Sequence, residues 1–519
     1  MTGYALAGAA VLAFVVAAVA LEIAPYSDRT RRLIILAPFA VAFALMVFER
    51  RAVLYLQVPI SVDEGQFLAD AVKIASGRWV PWVDVDTGTV GPVVPYSLVP
   101  IVAALPDTPY LGARLLAIGC AVAWSAGSYL AVRTLVPASV ALLLASPLIF
   151  IAAVPGSGDL NTFSSELVPL ALTVLGAGLA MRGLAAGERT RLLVIGFLLI
   201  GLVPFAKLQV APIAAAYAAA ILLFGLALDV RRRGMRPIVV AIAAGLAPLV
   251  LVLVAAGVWG QLRERLRESL LFVQGYQAGG DPWRVTLAWF LQAPLLRTLE
   301  QLALIGAIVA VVLILVVGQS RMNPQARALG AIAVLSPIGF VCMSLPGRGF
   351  PHYVWVGAVP AVFGIAAAIA IVVSQSRLRW YPLRRLAVPV LIAAVVLAVG
   401  FERAPDGSGS QGLPYRITTD VWDPSPYFPP DRPPTSPTGF GVEQEGLRRV
   451  VAASCTGPVA IWGWDPGALV AIHRGYVTRS SVVPEMDPVA QDTWVRQVSV
   501  ARPDCIVDAS GPNHFLFTC

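Results

Sequence analysis

Residues 191–236 read RLLVIGFLLIGLVPFAKLQVAPIAAAYAAAILLFGLALDVRRRGMR. Two apolar runs, 191–206 and 210–228, are separated by Lys207 and bracketed by arginines. A helix needs about 20 apolar residues to cross the ~30 Å hydrocarbon core of a bilayer. Each run is therefore about one crossing long, and the pair reads as a passage out and back. Basic clusters mark cytoplasmic ends, which puts Lys207 alone at the opposite, outer face.

The same pattern extends in both directions. Further apolar runs lie at 4–24, 33–48, 111–132, 138–154, 166–182, 237–257, 299–318, 328–345, 354–373 and 386–401, predicting about twelve spans. The Arg-rich connections 29–32, 182–191, 231–236, 321–327 and 377–385 fall on every second loop. That alternation makes those loops cytoplasmic and turns 49–110, 155–165, 258–298, 346–353 and the tail from 402 outward. Arg263, Arg265 and Arg267 break the rule. They are interleaved with Glu264 and Glu268 and read as an amphipathic helix lying on the membrane. The first run has no basic n-region and carries Glu22 where a cleavage site would need small residues, so it reads as a span rather than a signal peptide.

Composition agrees with this reading. Of 519 residues 58% are hydrophobic and 13% charged, with mean hydropathy +0.77. A soluble domain is ~45–50% apolar and ~25% charged, which excludes one water-soluble globule. The net charge of +8 sits in the loop clusters, so nucleic-acid binding is not expected. Five cysteines without a CxxC and three histidines make no conventional zinc site, and no metal or cofactor is expected.

The chain divides into a transmembrane domain over 1–401, a Pro/Gly/Ser-rich linker over 402–439 and a small extracytoplasmic α/β domain over 440–519. In the last, helices are predicted at 443–453 and 466–474 and strands at 458–462 and 504–508. Cys455, Cys505 and Cys519 would share an oxidising compartment, which predicts one disulfide of unassigned pairing and one spare thiol.

Polar residues gather on the outer face. Asp63 and Glu64 open a short amphipathic helix ending near Gly77; carboxylates there also suit a helix dipole. Asp84 and Asp86 follow, and Gly88, Gly91, Pro92 and Pro95 lead into a stretch too short and Pro-broken for an ordinary span. Irregular backbone at membrane depth lines protein or a wet cavity, and acidic groups beside one are functional candidates. Lys207, Arg348, His352, Tyr353, Asn161 and Glu166 lie on the same side, with Arg114 and Tyr276 as weaker candidates. The plain alternatives are snorkelling for Lys207 and helix capping for Glu166. Carboxylates and cations at one membrane face suit sugar transfer from a lipid phosphate. A carboxylate takes the acceptor hydroxyl's proton, and cations stabilise the leaving phosphate.

With these features in order, the chain resembles the GT-C superfamily of integral-membrane glycosyltransferases, in the branch of protein O-mannosyltransferases and lipid A aminoarabinose transferases. The resemblance rests on Val62-Asp-Glu-Gly65, Gly77-Arg-Trp-Val-Pro-Trp-Val-Asp84, Gly91-Pro-Val-Val-Pro-Tyr96, Arg114, Asn161 to Glu166, Lys207, Gln274-Gly-Tyr276, Phe350-Pro-His-Tyr-Val354 and Trp462-Gly-Trp-Asp-Pro466. It implies a polytopic all-α membrane protein of GT-C type with a C-terminal extracytoplasmic α/β domain. It further implies a polyprenyl-phosphate-linked sugar donor and a glycan, lipid or protein acceptor. By that pattern Asp63 is the general base and Glu64 supports it or binds acceptor. Lys207, Arg348, His352 and Tyr353 surround the donor phosphate, while Asp84, Asp86, Arg114, Asn161, Glu166 and Tyr276 are acceptor-side or secondary groups. Gly91 stands where some relatives carry a basic residue, and the first span is an addition. The branch requires no metal, and Asp84-Val-Asp86 is too common a pattern to propose one. The rivals are a transporter or flippase for a lipid-linked substrate, a binding protein that recognises through its tail, and a ligase using a lipid diphosphate.

Overall fold

The structure is a computed structural model that describes residues 3–54, 62–85, 90–153, 162–185, 190–230, 234–278, 282, 294–317, 322–347, 351–375, 459–463, 488–503, 505–511 and 514–518. The first two helices, α1 (Gly3–Ile23) and α2 (Asp28–Glu49), are followed by the short α3 (Arg51–Leu54) and α4 (Val62–Ala75). Then come α5 (Val93–Ala104), α6 (Pro109–Val132), α7 (Ala138–Ala153), α8 (Leu167–Ala185), α9 (Thr190–Leu202) and α10 (Ala211–Ala219). The membrane part continues through α11 (Arg236–Val258), α12 (Gly260–Ala278), α13 (Pro294–Val317), α14 (Pro324–Leu335), α15 (Ile338–Ser344) and α16 (Val354–Gln375).

Among the described residues eight helical stretches are long and apolar enough to cross a membrane, and four more are apolar but shorter. The protein is a multi-pass membrane protein. The run at 386–401 lies outside the described residues.

Proline explains where the predicted runs break. Pro204 ends α9 in a tight turn, Val203–Phe205. Pro337 splits the run 328–345 into α14 and α15, because its nitrogen has no proton to give the preceding turn. The run 210–228 winds as α10 and then a π-helical segment, Ala220–Leu226. At the other boundary type, Ser27 caps α2 by accepting from the Thr30 amide at 3.3 Å.

Small residues set the helix spacing. The principal contacts are α6 on α8, α8 on α9, α9 on α11, α1 on α7 and α13 on α16. Where α6 crosses α8, a Cβ on Gly127 would stand 2.5 Å from the Val174 carbonyl oxygen, and one on Gly178 would stand 2.3 Å from that of Gly127. Lipid is as apolar as a leucine, so such close backbone contact rather than oil-from-water burial holds spans together. The first helix belongs to this assembly: Ala7, Ala10, Phe14 and Ala18 are buried.

The two ends of the bundle differ in charge. Arg31, Arg133 and Arg182 are near enough to act on the same Tyr129 hydroxyl, so basic loops share one end. α6 runs 24 residues from Pro109 to Val132 beside Arg133, about 36 Å at 1.5 Å per residue. Arg114, near its start, therefore marks the opposite end. α12 forms where the alternating charges predict a helix, with Arg265 paired to Glu268 at 2.9 Å.

In the C-terminal region β1 (Val459–Gly463) runs parallel to β2 (Cys505–Gly511), which pairs antiparallel with β3 (His514–Thr518). Helix α17 (Pro488–Ala501) lies in the connection between the parallel strands, as a parallel crossover needs. The predicted strands lie within a residue of the start of β1 and β2, while α17 and β3 were not anticipated. The helices predicted at 443–453 and 466–474, and the linker 402–439, lie outside the described residues. Cys505 is disulfide-bonded; Cys120 and Cys342 are free and buried.

Candidate active site

Four segments far apart in sequence meet at the end of the bundle opposite the arginines. The N-terminal turn of α4 brings Asp63, the turn before α8 brings Ser165 and Glu166, the turn after α9 brings Lys207, and the turn before α16 brings His352 and Tyr353. Helix starts and tight proline turns present these groups because backbone donors there already lie outside the regular ladder.

Glu166 is fully buried and ion-paired with the Lys207 ammonium. The ammonium also donates to Ser165 Oγ at 2.6 Å and lies 4.7 Å from the centre of the Tyr353 ring, a cation–π distance. Ser165 Oγ stands 3.0 Å from Glu166 Oε1 and 3.4 Å from Asp63 Oδ2, so its single proton is shared between two carboxylates. His352 Nε2 sits between the same pair, 3.7 Å from Asp63 Oδ2 and 3.9 Å from Glu166 Oε1. The two rings of His352 and Tyr353 meet edge to face, 4.9 Å apart.

Burial sorts the carboxylates. The side chain of Asp63 is 30% exposed, whereas those of Glu64 and Glu166 are fully enclosed. Burial pushes the Glu166 carboxyl upward, but the Lys207 charge, then that of His352, outweighs it and holds the group at about 2. Glu166 is thus a fixed negative charge that orients Lys207, rather than the helix cap its position suggested. Lys207 does not snorkel: it is buried and points inward.

Glu64 lies one residue from Asp63 yet serves a different environment. Arg114 Nε and Nη2 donate to its two oxygens at 2.9 and 2.6 Å, a bidentate pair. Arg114 Nη1 donates to the Val53 carbonyl at 2.5 Å, and the Phe163 amide reaches Glu64 Oε1 at 3.4 Å. The pair ties α4, α6, the end of α3 and the 162–166 turn together. Arg114 is therefore placed with Glu64, not in the Asp63 cluster.

Asp84 sits in the loop after α4 and accepts from the Val80 amide at 2.8 Å, while Lys73 Nζ donates to its carbonyl at 2.5 Å. That loop leads to Val90, which pairs with Lys207 as an isolated antiparallel bridge. Gly91 donates to the Ala206 carbonyl at 2.9 Å. A Cβ on Gly91 would fall 2.1 Å from the Phe205 carbonyl oxygen, so only glycine admits the strand that fixes the Lys207 turn. Asp86, Asn161, Arg348 and the Tyr276 side chain lie outside the described residues. Sequence reasoning missed Ser165; its one signal was its place beside Glu166. No group of three His, Cys, Asp or Glu among the described residues is arranged to hold a metal.

No protein-family model matches the chain, and no curated protein matches it in sequence. Its fold is similar to the crystal structure of ArnT from Cupriavidus metallidurans bound to undecaprenyl phosphate, with 14% identity, 93% of this chain and 90% of that chain covered, and a TM-score of 0.51. This chain shares that fold. The apo form of the same ArnT aligns over 90% of this chain and 88% of that one at 14% identity and TM-score 0.49. The apo oligosaccharyltransferase of Archaeoglobus fulgidus covers 86% of this chain and 65% of its own, also at 14% identity and TM-score 0.49. The polytopic helical fold expected from the ordered motifs is the one observed, and the four-segment cluster lies within it.

Proposed function

We propose that the chain is a membrane glycosyltransferase that moves a sugar from a polyprenyl-phosphate donor to an extracytoplasmic glycan, lipid or protein acceptor. One observation carries the reading: Asp63, the water-accessible carboxylate of the cluster, faces a histidine and lies one hydroxyl away from a buried lysine held by Glu166. In this reading Asp63 takes the proton of the acceptor hydroxyl as its oxygen bonds to the anomeric carbon. The bond from that carbon to the phosphate oxygen breaks, and a prenyl phosphate monoester leaves. Lys207 and His352 take up the charge that grows on it. Asp63 then loses its proton to water through its exposed side. Glu64, with Arg114, positions Asp63 by fixing α4 and touches neither substrate.

The GT-C fold and a similar protein crystallised with undecaprenyl phosphate support a prenyl-phosphate donor. A transporter expects its site near the bilayer midplane between repeated halves, whereas this cluster gathers where α4, α8 and α16 begin. The reading places the C-terminal region outside the cell membrane with the acceptor. The test is transfer of labelled sugar from a prenyl-phosphate donor by purified protein in nanodiscs, with prenyl phosphate release measured in parallel. Asp63→Asn should lower kcat at least about 100-fold and leave the fold intact; unchanged turnover would remove Asp63 as base.

A further inference from the structure

We propose that Trp82 is a stacking platform for a sugar ring at this site, an assignment that rests on the transferase reading above. Trp82 adopts φ 59°, in the left-handed region that a bulky residue seldom enters. Glycine or asparagine would sit there without strain. A tryptophan in that conformation persists only where its surroundings overdetermine it, and such outliers gather at functional sites.

The surroundings here do so. The Trp82 amide donates to the Val85 carbonyl at 2.8 Å, the Asp84 amide to the Val80 carbonyl at 2.9 Å and the Val80 amide to Asp84 Oδ2 at 2.8 Å. Buried Lys73 clamps the same turn through the Asp84 carbonyl. These bonds hold a backbone shape whose product is the direction of one indole.

That indole meets Phe205 edge to face, with centroids 6.4 Å apart and planes at 69°. Phe205 ends the turn that delivers Lys207 two residues later, and its carbonyl lies against Gly91. The platform and the ammonium are thus carried on one small unit. Trp82 is only partly buried, so some of its surface is left for a ligand. Its place in the loop between α4 and α5, outside the long apolar helices, favours a ligand that is apolar on one face and polar at its rim. A pyranose or furanose ring has that character: its C–H face packs on the electron-rich indole face, while its hydroxyls stay hydrated or bonded. In the donor, the sugar is bonded directly to the phosphate that Lys207 would hold. A sugar of a glycan acceptor offers the same chemistry, and the test separates the two.

The full chain in nanodiscs is compared with Trp82→Gly, Trp82→Asn and Trp82→Phe, measuring thermal unfolding, binding of prenyl-phosphate sugar and of bare prenyl phosphate, and acceptor KM. Trp82→Gly and Trp82→Asn should unfold at the wild-type temperature or above it, because the strain is gone. If the donor sugar stacks there, both variants should lose at least tenfold in binding of glycosylated lipid with bare prenyl phosphate binding unchanged. If the acceptor stacks there, acceptor KM should rise at least tenfold with donor binding unchanged. Trp82→Phe should stay within a few-fold of wild type in either case. The proposal is overturned if Trp82→Gly and Trp82→Asn bind and turn over like wild type, or if both unfold at lower temperature, which would make the ring a packing group. Should wild type bind bare prenyl phosphate but show no transfer and no preference for the glycosylated lipid, the transferase reading fails and the platform with it. Transfer intact in every Trp82 variant sinks the platform alone.

Discussion

Asp63 and Glu64 are sequence neighbours of the same charge, and the structure predicts opposite consequences for removing each. Glu64→Gln leaves Arg114 with no compensating charge at a site where both side chains are fully enclosed. Removing one partner of a buried pair costs about 3–5 kcal/mol, because the remaining charge stays desolvated. At ~1.4 kcal/mol per factor of ten, that weakens the folded state roughly a hundred- to several-thousandfold. The Arg114 bond to the Val53 carbonyl survives and offsets little. The double variant Glu64→Leu with Arg114→Met removes both charges and should be less destabilised than either single change, since no orphaned ion is left. Asp63→Asn keeps shape and hydrogen-bonding capacity at a 30% exposed position and should shift stability by less than about 1 kcal/mol. The assay is thermal unfolding of wild type, Glu64→Gln, Glu64→Leu, Arg114→Met, the double variant and Asp63→Asn followed by tryptophan fluorescence, with sugar transfer measured on the folded fraction. Glu64→Gln should lose stability and keep most turnover per folded molecule; Asp63→Asn should do the reverse. A Glu64→Gln protein that unfolds like wild type yet transfers no sugar would refute the division of roles.

The ion pair between Glu166 and Lys207 gives a pH prediction. The folded-state carboxyl at about 2 lies below its ordinary value of 4.5, so its contribution is fully present above pH ~4.5 and fades as pH falls toward ~2; acid unfolding curves of wild type and Glu166→Gln should converge across that interval. Lys207→Met leaves the enclosed Glu166 with burial as the leading influence, so it should take up a proton at neutral pH, visible as a protonated-carboxyl infrared band, with turnover down about 100-fold or more. Gly91→Ala drives a Cβ into the Phe205 carbonyl and should destabilise by ~1–3 kcal/mol while lowering kcat through displacement of Lys207; wild-type kinetics in that variant would show that the Val90–Lys207 bridge does not set the lysine.

Much of the architecture was legible before any coordinates, because hydropathy and arginine placement act locally. Each span carries its own apolar length, and each basic loop its own side. The broken helices were harder: Pro204 and Pro337 lie inside runs whose hydropathy is continuous, so the run alone does not say where the backbone turns. Fold likeness at 14% identity shows the same point, since a common span plan persists when individual residues do not.

The sequence by itself determined that this is a multi-pass membrane protein with acidic and basic groups collected at one face. It also selected Asp63, Glu166, Lys207 and His352 as candidates. Only the tertiary structure decided which partners each group meets. Successive helix residues point about 100° apart, so Asp63 and Glu64 enter different environments, one toward His352 and water, the other toward Arg114. Burial and pairing depend on which helices pack together, and that packing places residues 100 positions apart in contact without leaving a mark on either local stretch.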